Sequence, residues 1–276
     1  MRVKPKKTFF MLWLLGGLTS AFLVLSLVVR HAGKTIYFSG FFTSLAKTSI
    51  DPGSPLNTVV FFAIMAFCAV SAYLLGSVNF AVMLSREKYG DDIRRHGSKN
   101  AGMTNMIRVY GKKDGIYTIL GDALKTSAAV LMARFFAGEF GAYLAGLFAV
   151  LGHIAPVWYK FKGGKGVVSS AIAILALDPI YFAVVLAVFL MVFYFSHYVS
   201  MGSVAGAFVY PAVVYYGFII RSGGNPGSVP PPAMIFAAFI GVMVIFMHRS
   251  NIRRVYYGEE QKFYLFDKSK KKGGKP

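Results

Sequence analysis

Long apolar runs, most of them near the length needed to cross a bilayer, follow one another through this chain and confine it to a membrane fold. A transmembrane helix takes about 20 apolar residues. Runs at 9–29, 59–84, 115–135, 140–158, 166–177, 180–197, 204–221 and 232–248 read as helices. The fifth is short and is expected to pair with the sixth across the Asp178-Pro179 break. Hydrophobic residues make up 56% of the sequence and charged residues 15%, a balance that suits a polytopic membrane protein and not a soluble domain. The expected fold is therefore all-α and polytopic, with about eight transmembrane helices.

The charges give this bundle a direction. Of 30 Lys and Arg, 24 fall in the N-terminus, 85–113, 159–166 and the segment after 248, and five fall on the other side at Arg30, Lys34, Lys47, Arg134 and Arg221. Lys/Arg excess marks cytoplasmic loops, so both termini and all the polar stretches are expected in the cytoplasm. The net charge of +19 is read as orientation and attraction to anionic headgroups, not as nucleic-acid binding. The first apolar run, preceded by Met1-Arg-Val-Lys-Pro-Lys-Lys7, could be a signal peptide. It is long for one and lacks a clear cleavage site, which favours a retained helix.

The chain is expected to divide into an N-terminal helix with a periplasmic linker (1–57, with turn residues at Asp51-Pro-Gly-Ser-Pro55), a membrane domain (58–263) and a basic cytoplasmic tail (264–276) whose end, Lys268–Pro276, is expected to be disordered. Cys68 is the single cysteine, so no disulfide can form within the chain.

Three polar stretches carry the chemistry. In the first, between Asp92 and Arg108, Gly97 and Gly102 can adopt conformations that let amides approach a ligand. Ser98, Asn100, Thr104 and Asn105 add hydrogen-bonding groups, and Arg108 adds a bidentate fork suited to phosphate. The second, Lys162-Gly-Gly-Lys-Gly166, is a glycine turn feeding a helix, a ready anion site. It lacks the Walker A pattern, so nucleotide binding is not expected. The third places His248 and Asn251 on one helix face, where the histidine is either a hydrogen-bonding group or an interfacial anchor. Each stretch could instead be an ordinary basic cytoplasmic loop.

Two features sit at membrane depth. Asp122 and Lys125 are three apart and can pair, for function or for structure. His153, ahead of Pro156, reads as a hydrogen-bonded residue at a kink. No carboxylate cluster, His-x4-Asp pair or Gly-x-Ser-x-Gly elbow occurs, so neither metal nor cofactor is expected.

Together these motifs resemble the bacterial PlsY family of acyl-phosphate:glycerol-3-phosphate acyltransferases. Gly97-Ser-Lys-Asn-Ala-Gly-Met-Thr-Asn-Met-Ile-Arg108 is similar to the family's Gly-Ser-Gly-Asn-Pro-Gly-Ala-Thr-Asn-x-x-Arg. Gly121-Asp-Ala-Leu-Lys125, Gly152-His-x-x-Pro156, Phe161-Lys-Gly-Gly-Lys-Gly166, a turn at Tyr198-Val-Ser-Met-Gly-Ser203, and His248-Arg-x-Asn-Ile-x-Arg254 with Gly258 and Glu260 follow in family order. Lys99 replaces a usual Gly, Ala101 a usual Pro, and Ala155 stands where an aromatic is common.

The resemblance implies a seven-span core preceded here by one added helix. It also implies transfer of an acyl group from acyl phosphate to the 1-hydroxyl of glycerol 3-phosphate at the cytoplasmic face of a bacterial inner membrane, the first step of phospholipid synthesis. By that likeness Ser98, Arg108, Lys165, His248 and Asn251 carry catalysis. Gly97, Asn100, Gly102, Thr104, Asn105, Lys162, Gly163, Gly164, Gly166 and Ser200 bind substrate, and Glu260, Asp122 and Lys125 are structural. The competing class is an organophosphate transporter or lipid-binding membrane protein. Transporters place ligands at midplane within repeats, and neither feature is evident here.

Overall fold

A computed structural model describes residues 6–32 and 55–264. The turn at Asp51–Ser54 and the tail from 265 lie outside the described residues. Among those described, the chain is helical throughout: α1 (Lys6–Ala32), α2 (Pro55–Gly76), α3 (Phe80–Tyr89), α4 (Met103–Tyr110), α5 (Lys112–Ile154), α6 (Val167–Leu177), α7 (Pro179–Ser196), α8 (Val199–Arg221), α9 (Pro231–Met247) and α10 (Arg249–Tyr256). Four helical stretches are long and apolar enough to cross a membrane, and α9 with α10, bent by 50° about His248, makes a fifth. The protein is a multi-pass membrane protein.

α5 is two arms, not one rod. Gly138 breaks it with φ 66° and ψ −155°. Lys125 on one arm lies 3.0 Å from the His153 ring on the other, 28 residues away. A straight helix would separate them by about 42 Å, so the chain reverses at Gly138, as expected from separate runs at 115–135 and 140–158. Small residues let the arms close: Ala129, Ala133, Ala137, Ala145 and Ala149 are buried together with Met65, Cys68 and Ala72 of α2. This is how membrane helices gain dispersion contact without a hydrophobic drive between them. A Cβ on Gly76 would come 2.3 Å from the Ala149 carbonyl, and one on Gly152 2.3 Å from the Tyr73 carbonyl. These two glycines therefore set the α2–α5 spacing.

Several expected boundaries move. The run at 59–84 is broken at residues 77–79, because Asn79 accepts from the Val82 amide and caps a new helix, α3. The span expected at 204–221 begins at Val199, so Tyr198–Ser203 is the first turn of α8 and not a connecting turn. Of the linker expected at 30–57, residues 30–32 belong to α1 and 55–57 to α2, and the rest lies outside the described residues.

α1 docks on the rest of the bundle. Leu15 is buried against Phe80 and Ala128, and the Thr19 hydroxyl reaches the Leu124 carbonyl at 3.2 Å. Glu87 of α3 caps its start, accepting from the Thr8 amide at 2.8 Å and the Thr8 hydroxyl at 2.7 Å. The start of α1 thus lies at the end of the bundle that carries the glycine-rich loops. The opposite end is tied by Arg134, ion-paired with Glu139 at 3.0 Å and donating to the Ala176 carbonyl at 2.6 Å, and by the Arg221–Asp178 pair.

Candidate active site

A cavity of about 390 Å³ opens among α4, α5, α6, α8 and α10. One end is polar, with Ser98, Asn100, Arg108, Lys165, Ser200, His248, Asn251 and Glu260 in its wall. The other is apolar, formed by residues such as Val185, Leu186 and Phe189 of α7 and Ile240 of α9.

The first loop is folded around Asn105. This side chain is buried, its oxygen accepting from the Ser98 amide at 2.9 Å and its nitrogen donating to the carbonyls of His96 and Asn100, each at 3.0 Å. Asn105 therefore organises the loop, and it does not itself line the cavity. Gly97 holds φ 55°, and a Cβ there would meet the Asn105 oxygen at 2.3 Å. Lys99 also sits at positive φ, 58°, so it keeps the left-handed turn that a glycine would adopt without strain. Gly102 is extended (φ −161°) and needs no glycine for its conformation. It begins α4 without a side-chain cap, and it lines the cavity with Met103 and Thr104.

The second loop also differs in part from expectation. The amides of Gly163 and Gly164 donate to the carbonyls of Ile154 (3.0 Å) and His153 (3.1 Å). Those donors are spent inside the protein, so the two glycines serve close packing and do not form an anion nest. Lys162 is exposed and outside the cavity wall, and its carbonyl accepts from Arg94 at 2.7 Å. Gly166, at φ 78°, opens α6 without a side-chain cap and does face the cavity. The starts of α4 and α6 thus both meet the cavity, each supplying free amides and the positive end of a helix dipole.

The cations are arranged beside them. Lys165 donates to the Asn251 side-chain oxygen, and burial lowers its pKa to about 8. Arg108 is half-buried, desolvation lowers its pKa from the ordinary value, and it reaches the Gln261 carbonyl at 3.3 Å. Asn251 passes the linkage on by donating to Glu260 at 2.6 Å. Glu260 also accepts from Ser200 at 3.3 Å and from Arg254 at 2.7 Å. His248 is buried at the α9–α10 break, with Nδ1 against the Val244 carbonyl at 2.7 Å. That contact requires a proton on Nδ1 and leaves Nε2 as an acceptor in the neutral ring.

Asp122 and Lys125 pair at 2.7 Å, as their spacing suggested. His153 was not read from sequence as a site residue. It lies next to the end of α5 rather than at a kink within it, and together with Asp122 it lines the cavity. Its place could not be found from local spacing, because the Gly138 reversal brings it to Lys125.

These features define a multi-pass membrane protein with a cationic, amide-rich site for phosphate esters joined to an apolar chamber. A family model described as glycerol-3-phosphate acyltransferase matches residues 66–258. The glycerol-3-phosphate acyltransferase of Finegoldia magna is 38% identical over 193 residues, spanning 70% of this chain and 93% of that protein. The one from Exiguobacterium sibiricum is 40% identical over 202 residues, spanning 73% and 95%. The crystal structure of PlsY, an integral membrane glycerol 3-phosphate acyltransferase, in its glycerol 3-phosphate form, superposes with a TM-score of 0.64 at 33% identity, covering 72% of this chain and 96% of that one. The lysophosphatidic acid form gives 0.61 at 31% identity. The chain belongs to the glycerol-3-phosphate acyltransferase family, and α1 lies ahead of the matched segment.

Proposed function

We propose that this protein acylates the 1-hydroxyl of glycerol 3-phosphate from acyl phosphate, yielding lysophosphatidic acid and inorganic phosphate. The hydroxyl oxygen bonds to the acyl carbon, the carbon–oxygen bond to phosphate breaks, and the departing phosphate takes the hydroxyl proton. The observation that carries this reading is the two-part cavity: a polar end with Arg108, Lys165 and two uncapped helix starts, continuous with an apolar chamber.

Arg108, Lys165 and the amides opening α4 and α6 hold the phosphates and offset charge as it develops. Ser98 orients the reacting group. Ser200, His248, Asn251 and Glu260 frame the glycerol phosphate, and the acyl chain lies along α7. Residues 1–57 form an added helix and linker, 58–263 the acyltransferase, and 264–276 a basic tail. Eight crossings, with α6 as a short one, would put both termini on one side, and the Lys/Arg excess there assigns that side and the site to the cytoplasmic face of a bacterial inner membrane.

Acyl phosphate suits the site because its leaving group is a small dianion. Acyl-CoA would need room for a nucleotide and a pantetheine arm. Purified protein given glycerol 3-phosphate with either donor is expected to form lysophosphatidic acid from acyl phosphate alone, with excess inorganic phosphate inhibiting. Efficient transfer from acyl-CoA would overturn this donor.

A further inference from the structure

The buried group behind the site has one hydrogen-bonding atom that neither the fold nor the roles above use. Lys125 is fully buried. Its ammonium meets the Val78 carbonyl at 2.6 Å, Asp122 at 2.7 Å and His153 Nδ1 at 3.0 Å. An ammonium can only donate. Nδ1 of His153 is therefore the acceptor, and the ring is the neutral tautomer with its proton on Nε2.

His153 is only 3% exposed, yet it lines the cavity. Nε2 packs toward Gly164, where a Cβ would lie 2.1 Å from it, so only glycine leaves room for the ring to sit here in the cavity wall. Among the described residues, no group hydrogen-bonds to Nε2. The bond from Lys125 to Nδ1 fixes the tautomer and the direction of this N–H.

We propose that His153 is a further catalytic residue, its Nε2–H donating to the acyl carbonyl oxygen as that oxygen becomes an oxyanion. This rests on the acyl-transfer reading. The Lys125 ammonium, 2.7 Å from Asp122, offsets the carboxylate that lies 3.5 Å from the ring, so the donor can face an oxygen that gains negative charge in the transition state.

Two substitutions of the same residue separate this role from a structural one. In His153→Asn the side-chain oxygen can still accept from Lys125 near the Nδ1 position, but nothing reaches the Nε2 position. In His153→Gln an N–H can reach the Nε2 position, while the bond from Lys125 is lost. The full-length proteins are purified, checked for folding by thermal unfolding, and assayed with acyl phosphate and glycerol 3-phosphate.

His153→Asn is expected to lose about 10²–10³-fold in kcat, the range for one oxyanion donor, with KM for both substrates little changed. His153→Gln is expected to stay within about tenfold of wild type, the smaller loss expected when a donor is kept at the Nε2 position. A His153→Asn enzyme more active than His153→Gln would overturn the proposal, because a merely structural role gives that order. A loss confined to KM would also overturn it. Wild-type protein that forms no lysophosphatidic acid would instead refute the acyl-transfer reading beneath it.

Discussion

At the scale of single residues, the proposed reaction asks the site to hold two phosphates with few charges. Removing Arg108 or Lys165 as Ala is expected to cost on the order of 2–5 kcal/mol in kcat/KM, since each takes a charged contact from a partly dehydrated site. Near-normal steady-state kinetics in a well-folded Arg108→Ala protein would remove that residue from the site. Lys165 also sets a pH limit. Its lowered pKa of about 8 means that it is cationic below that pH and neutral above it. Phosphate monoesters become dianions above about pH 6, so kcat/KM for glycerol 3-phosphate should peak between these values and fall through pH 8. Lys165→Arg should abolish the alkaline fall, and an unchanged profile would show that another group titrates. Composition alone left each polar stretch open as an ordinary basic loop; the family motifs singled out Arg108 and Lys165, and the fold brings both to the wall of one cavity. The roles of Asn105, Gly163 and Gly164 were not legible in the sequence, because amides and carbonyls spend the same donors internally, and only the fold reveals which.

At the scale of elements, close approach does most of the positioning. Gly76 and Gly152 let α2 lie directly on the second arm of α5, which ends at His153 and the second loop. Gly152→Ala would press a methyl into the Tyr73 carbonyl. It is expected to destabilise by about 1–3 kcal/mol, the cost of overpacking, measured as a lower unfolding midpoint in detergent. An unshifted midpoint would mean that α2 and α5 part freely. The buried ion pair behaves differently. Lys125→Met leaves Asp122 an uncompensated charge and should cost about 3–5 kcal/mol, and Asp122→Asn added to it should restore much of that. Hydropathy made most spans readable, since apolar length is a property of the run itself. The break at 77–79 and the early start of α8 escaped it, because one cap by Asn79 and one turn of polar helix leave the average hydropathy nearly unchanged.

At the scale of the whole molecule, orientation and substrate supply are one question. The lone Cys68 is buried, so introduced cysteines report without background. Cysteines near Lys112 and after Lys268 should be shielded from an impermeant external reagent, and one near Ser54 should react. Labelling at Lys112 but not at Ser54 would invert the topology. The two-part cavity then has a kinetic meaning. In the proposed reaction, one reactant arrives from water and is counted in moles per litre, and the other arrives within the bilayer and is counted as a mole fraction of lipid. Diluting the acyl donor with inert lipid should therefore slow turnover at constant bulk concentration, while diluting with water should act only through the glycerol 3-phosphate concentration. The protein works at a phase boundary, and its saturation curve has two axes that no single concentration can replace.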